Sequence, residues 1–469
     1  MNTTVPLPAR VVSAELLRRL DVPGPRYTSY PTADRFGEAF AAADYRRALE
    51  ERARQGARGD RSTLSLYVHI PFCESVCYYC ACNKVVTRHH DRARPYLDAL
   101  ETEIEIHADA LGDRQEVTQL HFGGGTPTFL TDDELGRVMA MLRRRFQLLD
   151  TAEVSIEVDP RTADPERLAR LHAMGFNRLS FGVQDFDADV QEAVHRVQSR
   201  ESVDRLLRAA RELGFESTNV DLIYGLPKQS AASFARTLAQ VGDLRPDRIA
   251  LYAYAHLPQR FKPQRRIDTA ALPSGHDKVA MLQQAIAAFT GQGYAYIGMD
   301  HFALPDDALA VAKREGRLHR NFQGYSTQPE CDLIGLGVSA IGRVGASYSQ
   351  NAKTLDAYYD ALDRREFPVT KGLALSRDDA LRRDVIMALM CQGRVEFGAI
   401  ERAHAIDFRA EFASELEALA SLAESGLVAI EVGAVEVTAL GWYFVRRVAM
   451  VFDRHLHGDR ERERFSRIV

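Results

Sequence analysis

Four of the six cysteines in this 469-residue chain lie within ten positions, in HIPFCESVCYYCACNK at residues 69–84. Three residues separate Cys73 from Cys77, two separate Cys77 from Cys80, and Cys82 follows at once. The opening MNTTVPLPARVVSAELLRRL lacks the basic start, long apolar stretch and small-residue cleavage site of a secretory signal. The expected compartment is therefore the cytoplasm, where thiols stay reduced. Clustered cysteines there point to metal or redox chemistry and not to a disulfide framework. A structural zinc site asks for four N or S ligands, often as two CxxC pairs, and no partner pair recurs further along. A thioredoxin-like dithiol would use Cys77 and Cys80 and leave two thiols unexplained. Three close thiolates suit three corners of a cubane iron–sulfur cluster, with one iron left open. Spacing favours the cluster and leaves zinc as the alternative.

Other polar residues gather where strands are expected to end. LSLYVHI (64–70), TQLHF (118–122), VSIEV (154–158), NRLSFGV (177–183), NVDLIYG (219–225), RIALYAYA (248–255) and YAYIGM (294–299) read as short strands. Helix-period segments separate most of them. One face carries Leu97, Leu100, Ile104 and Leu111, and another Leu135, Met139, Leu142 and Phe146. Strands alternating with helices imply parallel βαβ units, and six or seven in a row favour a barrel or part of one. Functional groups then belong on the loops after the strands. The cysteine run starts three residues after the first strand, and GGGTPT (123–128) directly follows the second. Such glycines let backbone amides approach a ligand, or make a tight corner. Glu157, Gln184, Arg196, Asp221 and Ala255 lie at later strand ends, where a lone carboxylate is ordinarily a cap or ion-pair partner. Before the barrel, PGPRYTSYPTADRF (23–36) reads as an ordered arm, because Tyr27 and Tyr30 offer apolar area to bury. After about residue 365 the strands fade, and 411–452 reads as helix, two short strands around Gly433, then helix, resembling a winged helix. The expected division is an arm over 1–50, a catalytic barrel over 51–365 and a mainly helical domain over 366–469.

CxxxCxxC, with Tyr67, His69, Pro71, Phe72 and Tyr79 around it, resembles the signature of the radical S-adenosylmethionine (SAM) family. That resemblance implies an α/β fold, a partial (βα)6 TIM-type barrel. It also implies a 4Fe–4S cluster on Cys73, Cys77 and Cys80, whose open iron chelates SAM and whose electron cleaves it to a 5′-deoxyadenosyl radical. PGPRYTSYPTA, LSLYVHIPFC, HFGGGTPT, IEVDP, GVQDF, HRVQ, NVDLIYGLPKQ, YAHLP, GMDHFA, HRNFQGY, GVSAIG and FSRIV together resemble one family, the oxygen-independent coproporphyrinogen III dehydrogenases of haem synthesis. The implied reaction converts two propionates of coproporphyrinogen III to vinyl groups with loss of CO2. The resemblance implies two SAM molecules. Tyr67, Gly124 and Glu157 match contacts to one. Tyr79, Gly125, Thr126, Gln184, Arg196, Asp221, Ala255 and Ile341 match contacts to the pair, mostly the second. Tyr79 stands where a relative has phenylalanine, and ALYAYAH departs from the expected pattern before Ala255. Tyr67, His69 and Cys82 are the catalytic candidates, though Cys82 has no assigned chemistry. Arg26, His301 and Arg320 are substrate candidates, since carboxylates call for cationic forks and donors. A haem-binding chaperone of the same family is the alternative. It is disfavoured because such relatives lack the fourth cysteine and generally the PRYTSYP arm, both present here.

The net charge of −5 offers no electrostatic reason for a nucleic-acid partner, and no apolar run reaches eighteen residues. A DNA-binding role for the C-terminal segment is weak, since it has no basic stripe. Cys331 and Cys391 read as small core residues and Trp442 as core of the C-terminal domain. The tail HGDRERERFSR reads as a solvated helix face. A low-potential electron donor, an electron acceptor and a monomeric state complete the expectations, with neither redox partner identified by the sequence.

Overall fold

The computed structural model describes residues 14–20, 22–58, 62–112, 114–299, 301–328, 331–457 and 465. The leader before residue 14, Asp300 of GMDHFA, and the tail after 457 apart from Phe465 lie outside the described residues, and the reading of HGDRERERFSR lies there with them.

Six strands run parallel and side by side in chain order: β1 (Leu64–Ile70), β2 (Gln115–Gly124), β3 (Phe146–Val158), β4 (Arg178–Gln184), β5 (Ser217–Tyr224) and β6 (Arg248–Ala253). Helices Ala93–Leu111, Asp132–Arg145, Pro165–Ala173, Arg200–Leu213 and Ala231–Leu244 lie between them in sequence. Local signals explain their limits. Thr131 and Glu134 form a capping box, Asp164 caps a helix with proline at its first position, and Ser199 and Ser230 cap two more.

Alternation along the strands sorts the barrel into two surfaces. Leu64, Leu66, Val68 and Ile70 of β1, Leu120 and Phe122 of β2, Ile156 of β3, Phe181 of β4 and Val220 and Leu222 of β5 are fully buried in one continuous core. The intervening positions carry Tyr67 and His69, His121, Ser155 and Glu157, Ser180, Asn219 and Asp221, and Tyr252. Most of these side chains touch a neighbour across the other face, and Tyr252 meets Arg26 and His301 there. Burying every second side chain under the helices thus lines the concave face with polar groups.

The seventh expected strand differs. β7 (Ala295–Gly298) and β8 (His301–Ala303) form a hairpin, and β8 pairs antiparallel with β6. On the opposite side, β9 (Asp332–Leu336) runs parallel to β1, and β10 (Ile341–Val344), β11 (Ser347–Asn351) and β12 (Val369–Ala374) extend the sheet antiparallel. The order β12-β11-β10-β9-β1-β2-β3-β4-β5-β6-β8-β7 is an open, barrel-like sheet of twelve strands. Strands β9 to β12 escape the sequence reading because they are only four to six residues long, and SYSQN of β11 is largely polar although buried. They depend on neighbouring strands for their pairing. β12 lies past residue 365 yet belongs to this sheet. Phe146, read as helical, instead opens β3 directly after the helix.

A second core holds the C-terminal part. Helix Arg377–Gln392 packs with Phe408, Phe412, Phe444 and Phe452, beside a three-stranded antiparallel sheet of Arg394–Glu396, Ala434–Val437 and Val428–Ile430. Trp442 is only half-buried and touches both cores, with the Lys313 ammonium 4.1 Å from its ring, so it joins the two parts instead of filling one. Cys391 is buried as expected, whereas Cys331 is half-buried. The arm is held down by Tyr27 and Tyr30, which are 1% and 0% exposed. The Tyr27 hydroxyl donates to Asp453 at 2.9 Å, and Gly37 pairs with Gly372 of β12. Among the described residues no helix is long and apolar enough to cross a membrane.

Candidate active site

Strand β1 ends in a clasp. The His69 Nε2–H lies 3.0 Å from the Asn83 carbonyl, which leaves Nδ1 to accept from the Tyr67 hydroxyl at 3.1 Å. Burial holds His69 below its ordinary pKa and pushes Tyr67 well above its own, so both are neutral. The Tyr96 hydroxyl donates to the His69 carbonyl at 2.6 Å. The glycine motif closes on this clasp. Gly124 has φ +121°, and a Cβ there would stand 2.6 Å from His69 Cε1. A Cβ on Gly125 would stand 2.6 Å from the Pro71 carbonyl oxygen. The Gly125 and Thr126 amides donate to the Ile70 and Phe72 carbonyls at 2.8 and 2.9 Å, which seats the cysteine loop.

Cys73 and Cys77 are buried and Cys80 half-buried. Donors and cations surround them. Thr126 Oγ1 lies 3.4 Å from Cys73 Sγ, and Arg161 and Arg196 reach Cys77 Sγ at 3.7 and 3.5 Å. Lys84 Nζ donates to the Cys80 carbonyl at 3.3 Å. Burial pushes the Cys73 thiol up to about 11, whereas a hydrogen bond from Cys82, with Lys84 nearby, brings Cys80 down to about 6. Cys82 itself is exposed and its thiol is raised by that same pairing with Cys80. Soft thiolates in a cationic setting fit an iron–sulfur cluster.

Around the rest of the concave face stand two further groups. Glu157 lies 3.3 Å from the Gly124 amide and 3.6 Å from His121, whose ring stacks on Tyr67. Asp221 accepts from Ser180 and Asn219 at 3.2 and 2.9 Å; burial and then Glu157 raise its pKa to about 7. Arg196 donates to the Gly182 carbonyl at 3.1 Å and to Asp159 at 3.2 Å. Burial opposes its charge, but Tyr79, Asp159 and Cys77 outweigh that and hold it protonated. Gln184, in left-handed backbone at φ +71°, sits beside Gly182 and Arg196. The buried Gln264 amide donates to both the Tyr79 and Ala255 carbonyls, at 3.0 and 3.2 Å, and so ties the cysteine loop to the end of β6. Ile341 opens β10, and its carbonyl packs against Gly335, the register partner of Tyr67.

The substrate candidates form an aromatic ladder. The Arg26 guanidinium lies 5.5 Å from the Tyr252 ring, and His301 stands edge-on to Tyr252 at 6.0 Å and to Tyr325 at 5.5 Å. Arg320 lies 4.6 Å above Tyr325. Burial, followed by Arg320 and Arg26, drives His301 down to about 3, so it is a neutral donor or acceptor.

Three contributors escaped the sequence reading. Asp159 holds both arginines that reach Cys77, Arg161 is one of them, and Gln264 clamps two strand ends. Asp159 stands two places after Glu157 within IEVDP, so strand-end position was its available signal. Gln264 lies in a short 3-10 helix, Lys262–Arg266, with no such signal.

Residues 67–241 match the model of the radical SAM superfamily, and residues 375–444 match that of the HemN C-terminal domain. The open parallel barrel with its cysteine loop after β1 is that of a radical SAM enzyme, a class that implies a 4Fe–4S cluster and SAM. The chain is 50% identical over 454 residues to the oxygen-independent coproporphyrinogen III oxidases of Salmonella typhimurium and Escherichia coli K12, covering 97% of this chain and 98% of each relative. The Pseudomonas aeruginosa oxidase is 49% identical over 458 residues, again covering 97% and 98%. A solved structure of coproporphyrinogen III oxidase from Escherichia coli, a radical SAM enzyme, matches at TM-score 0.88 and 50% identity over 92% of this chain and 98% of that one. This chain belongs to the oxygen-independent coproporphyrinogen III oxidase family.

Proposed function

We propose that this protein oxidatively decarboxylates two propionates of coproporphyrinogen III to vinyl groups, giving protoporphyrinogen IX without oxygen. One observation carries the reading: the near full-length 50% identity brings with it a concave face on which thiols, carboxylates and cations converge. Cys73, Cys77 and Cys80 would hold the cluster, which with SAM supplies a hydrogen-abstracting radical. Two SAM molecules are bound. Tyr67, Gly124 and Glu157 contact one. Tyr79, Gly125, Thr126, Gln184, Arg196, Asp221, Ala255 and Ile341 contact the pair, mostly the second.

In each half-reaction a propionate loses one hydrogen atom from its β-carbon, then CO2 and one electron, leaving a vinyl group. The chain's part is orientation and exclusion of other hydrogen donors. The Tyr67–His69 clasp, neutral at physiological pH, sets the cysteine loop against the glycine corner. Arg26, His301 and Arg320 orient substrate carboxylates. Cys82 stands beside the cluster loop as a non-ligand. The electron donor and acceptor are separate redox partners, and the enzyme acts as a cytoplasmic monomer. The arm spans 1–50, the catalytic barrel runs from 51 through β12, and the C-terminal domain follows from about residue 375, where the family model for that domain begins.

An anaerobic assay with coproporphyrinogen III, SAM and a strong reductant should yield protoporphyrinogen and CO2. Cleavage of SAM with no vinyl product would falsify the substrate. Stoichiometric, tight haem binding in place of turnover would favour the chaperone reading.

A further inference from the structure

Apart from the cysteine loop, the molecule holds a partly open cavity of about 330 Å3 between the arm, the ribbon His319–Asn321, the inner side of β9 to β11 and helix Arg377–Gln392. Its wall is strongly cationic. Arg320, Arg343 and Arg383 face it, and Asp384 is the one acid among the described residues that line it. Asp384 is already engaged, by His404 at 2.8 Å and by Arg383 at 3.4 Å.

Arg320 is the decisive residue. It is 7% exposed, yet its Nε and Nη1 have no hydrogen-bond partner. Its guanidinium lies over the Tyr325 ring, which satisfies a cation only in part. Burying guanidinium N–H groups without an acceptor is costly, because the water they lose is not replaced. A fold that retains such a group is prepared for an anion. Arg383, 8% exposed, is held in place by Nε donating to the Tyr348 hydroxyl at 3.2 Å, and Arg343 by donating to the Cys331 carbonyl at 3.2 Å. These anchors fix the cationic wall before any ligand arrives.

Size narrows the ligand. At about 330 Å3 the cavity lies at the small end of the about 300–1,000 Å3 spanned by small-molecule pockets, which leaves room for a carboxylate arm. Position narrows it further. Through Tyr325, His301 and Tyr252, Arg320 continues the ladder that reaches Asp221 and Glu157, both of which act electrostatically on Tyr252. We propose that the cavity is a carboxylate subsite, in which Arg320, backed by Arg343 and Arg383, holds a non-reacting propionate of the tetrapyrrole and so sets which propionate faces the radical site. This rests on the proposed function above and deepens it by assigning the anchor for a second arm.

The test uses the cluster-loaded protein under anaerobic conditions and equilibrium binding of coproporphyrin III, the non-turnover oxidised form, by fluorescence. Arg320→Gln should weaken binding about tenfold or more, the usual scale for a lost charge-assisted hydrogen bond. Arg320→Lys should fall between, because it keeps charge without the planar fork. The tetramethyl ester of the same porphyrin should bind wild type and Arg320→Gln alike. Iron per chain reports that the variant is folded and cluster-loaded before binding is compared. The subsite is overturned if Arg320→Gln binds the free acid as wild type does, or if it loses the ester equally. Should Arg320→Gln fail to fold, Arg383→Gln carries the same comparison, with the same loss expected and the same two results overturning the subsite. A wild-type protein that neither binds nor converts coproporphyrinogen III removes the functional reading together with this one. A competent wild type with indifferent variants removes the subsite alone.

Discussion

Single side chains on the concave face are set by what surrounds them more than by their type. Asp221 and Glu157 are both strand-end carboxylates, but Asp221 is buried against Ser180 and Asn219 with Glu157 as a like charge, and its pKa rises to about 7. In the proposed SAM contact, Asp221 is neutral below that value and does not attract the cationic cofactor; above it, it does. SAM affinity should therefore increase as pH rises through about 7, and Asp221→Asn should flatten that dependence in equilibrium binding. The cysteines divide similarly. Cys77 receives two arginines whereas Cys82 is exposed and paired with Cys80. Iron analysis after anaerobic reconstitution should show Cys77→Ser losing the cluster and Cys82→Ser keeping about four irons per chain. Loss of iron in Cys82→Ser would sink its assignment as a non-ligand.

Among the elements, helix Ala93–Leu111 does more than cover the sheet. Its Glu103 is fully buried and accepts from the Gly337 amide at 2.7 Å, Asn351 at 2.7 Å and the Tyr358 hydroxyl at 2.6 Å. Tyr96, in the first turn of the same helix, bridges the Val338 amide to the His69 carbonyl. The helix therefore fastens the loop after β9 to the end of β1, where the Tyr67–His69 clasp sits. Glu103→Ala would leave the buried Gly337 amide and Tyr358 hydroxyl without an acceptor, while Asn351 keeps the Gly337 carbonyl, and should cost about 2 kcal/mol or more. Denaturant unfolding checks this, with the midpoint falling while its slope stays constant.

At the scale of the whole molecule, the arm and the C-terminal core close on each other. Besides the Tyr27–Asp453 bond, Arg446 donates to the carbonyls of Gly24 and Pro25, and Tyr348 of β11 donates to the Tyr30 carbonyl at 3.3 Å. The arm is thus pinned between the C-terminal core and the open edge of the sheet, which carries Arg26 to the Tyr252 ring. Tyr30→Ala empties a fully buried aromatic site and should cost about 3–5 kcal/mol. A lower Tm accompanied by a raised KM for coproporphyrinogen III would show that the clasp both stabilises the chain and delivers Arg26. A lowered Tm with KM unchanged would remove the second half of that claim.

Periodicity and spacing in the chain were enough for the six parallel strands, the cysteine loop after the first and the glycine corner after the second. Each is encoded within a few consecutive residues: alternation, a CxxxCxxC interval, or glycine at a positive φ. Density of motifs was enough for the family. Several things belonged to the tertiary structure alone. The strands β9 to β12 are only four to six residues long, so pairing with their neighbours fixes them. Asp159 and Gln264 acquire roles only through partners 37 and 185 residues away. Arg320 was readable as a candidate cation, but nothing local to HRNFQGY tells that folding buries it with two unpaired nitrogens beside Arg343 and Arg383. Desolvation and long-range contact are properties of the folded surroundings, and local sequence does not carry them.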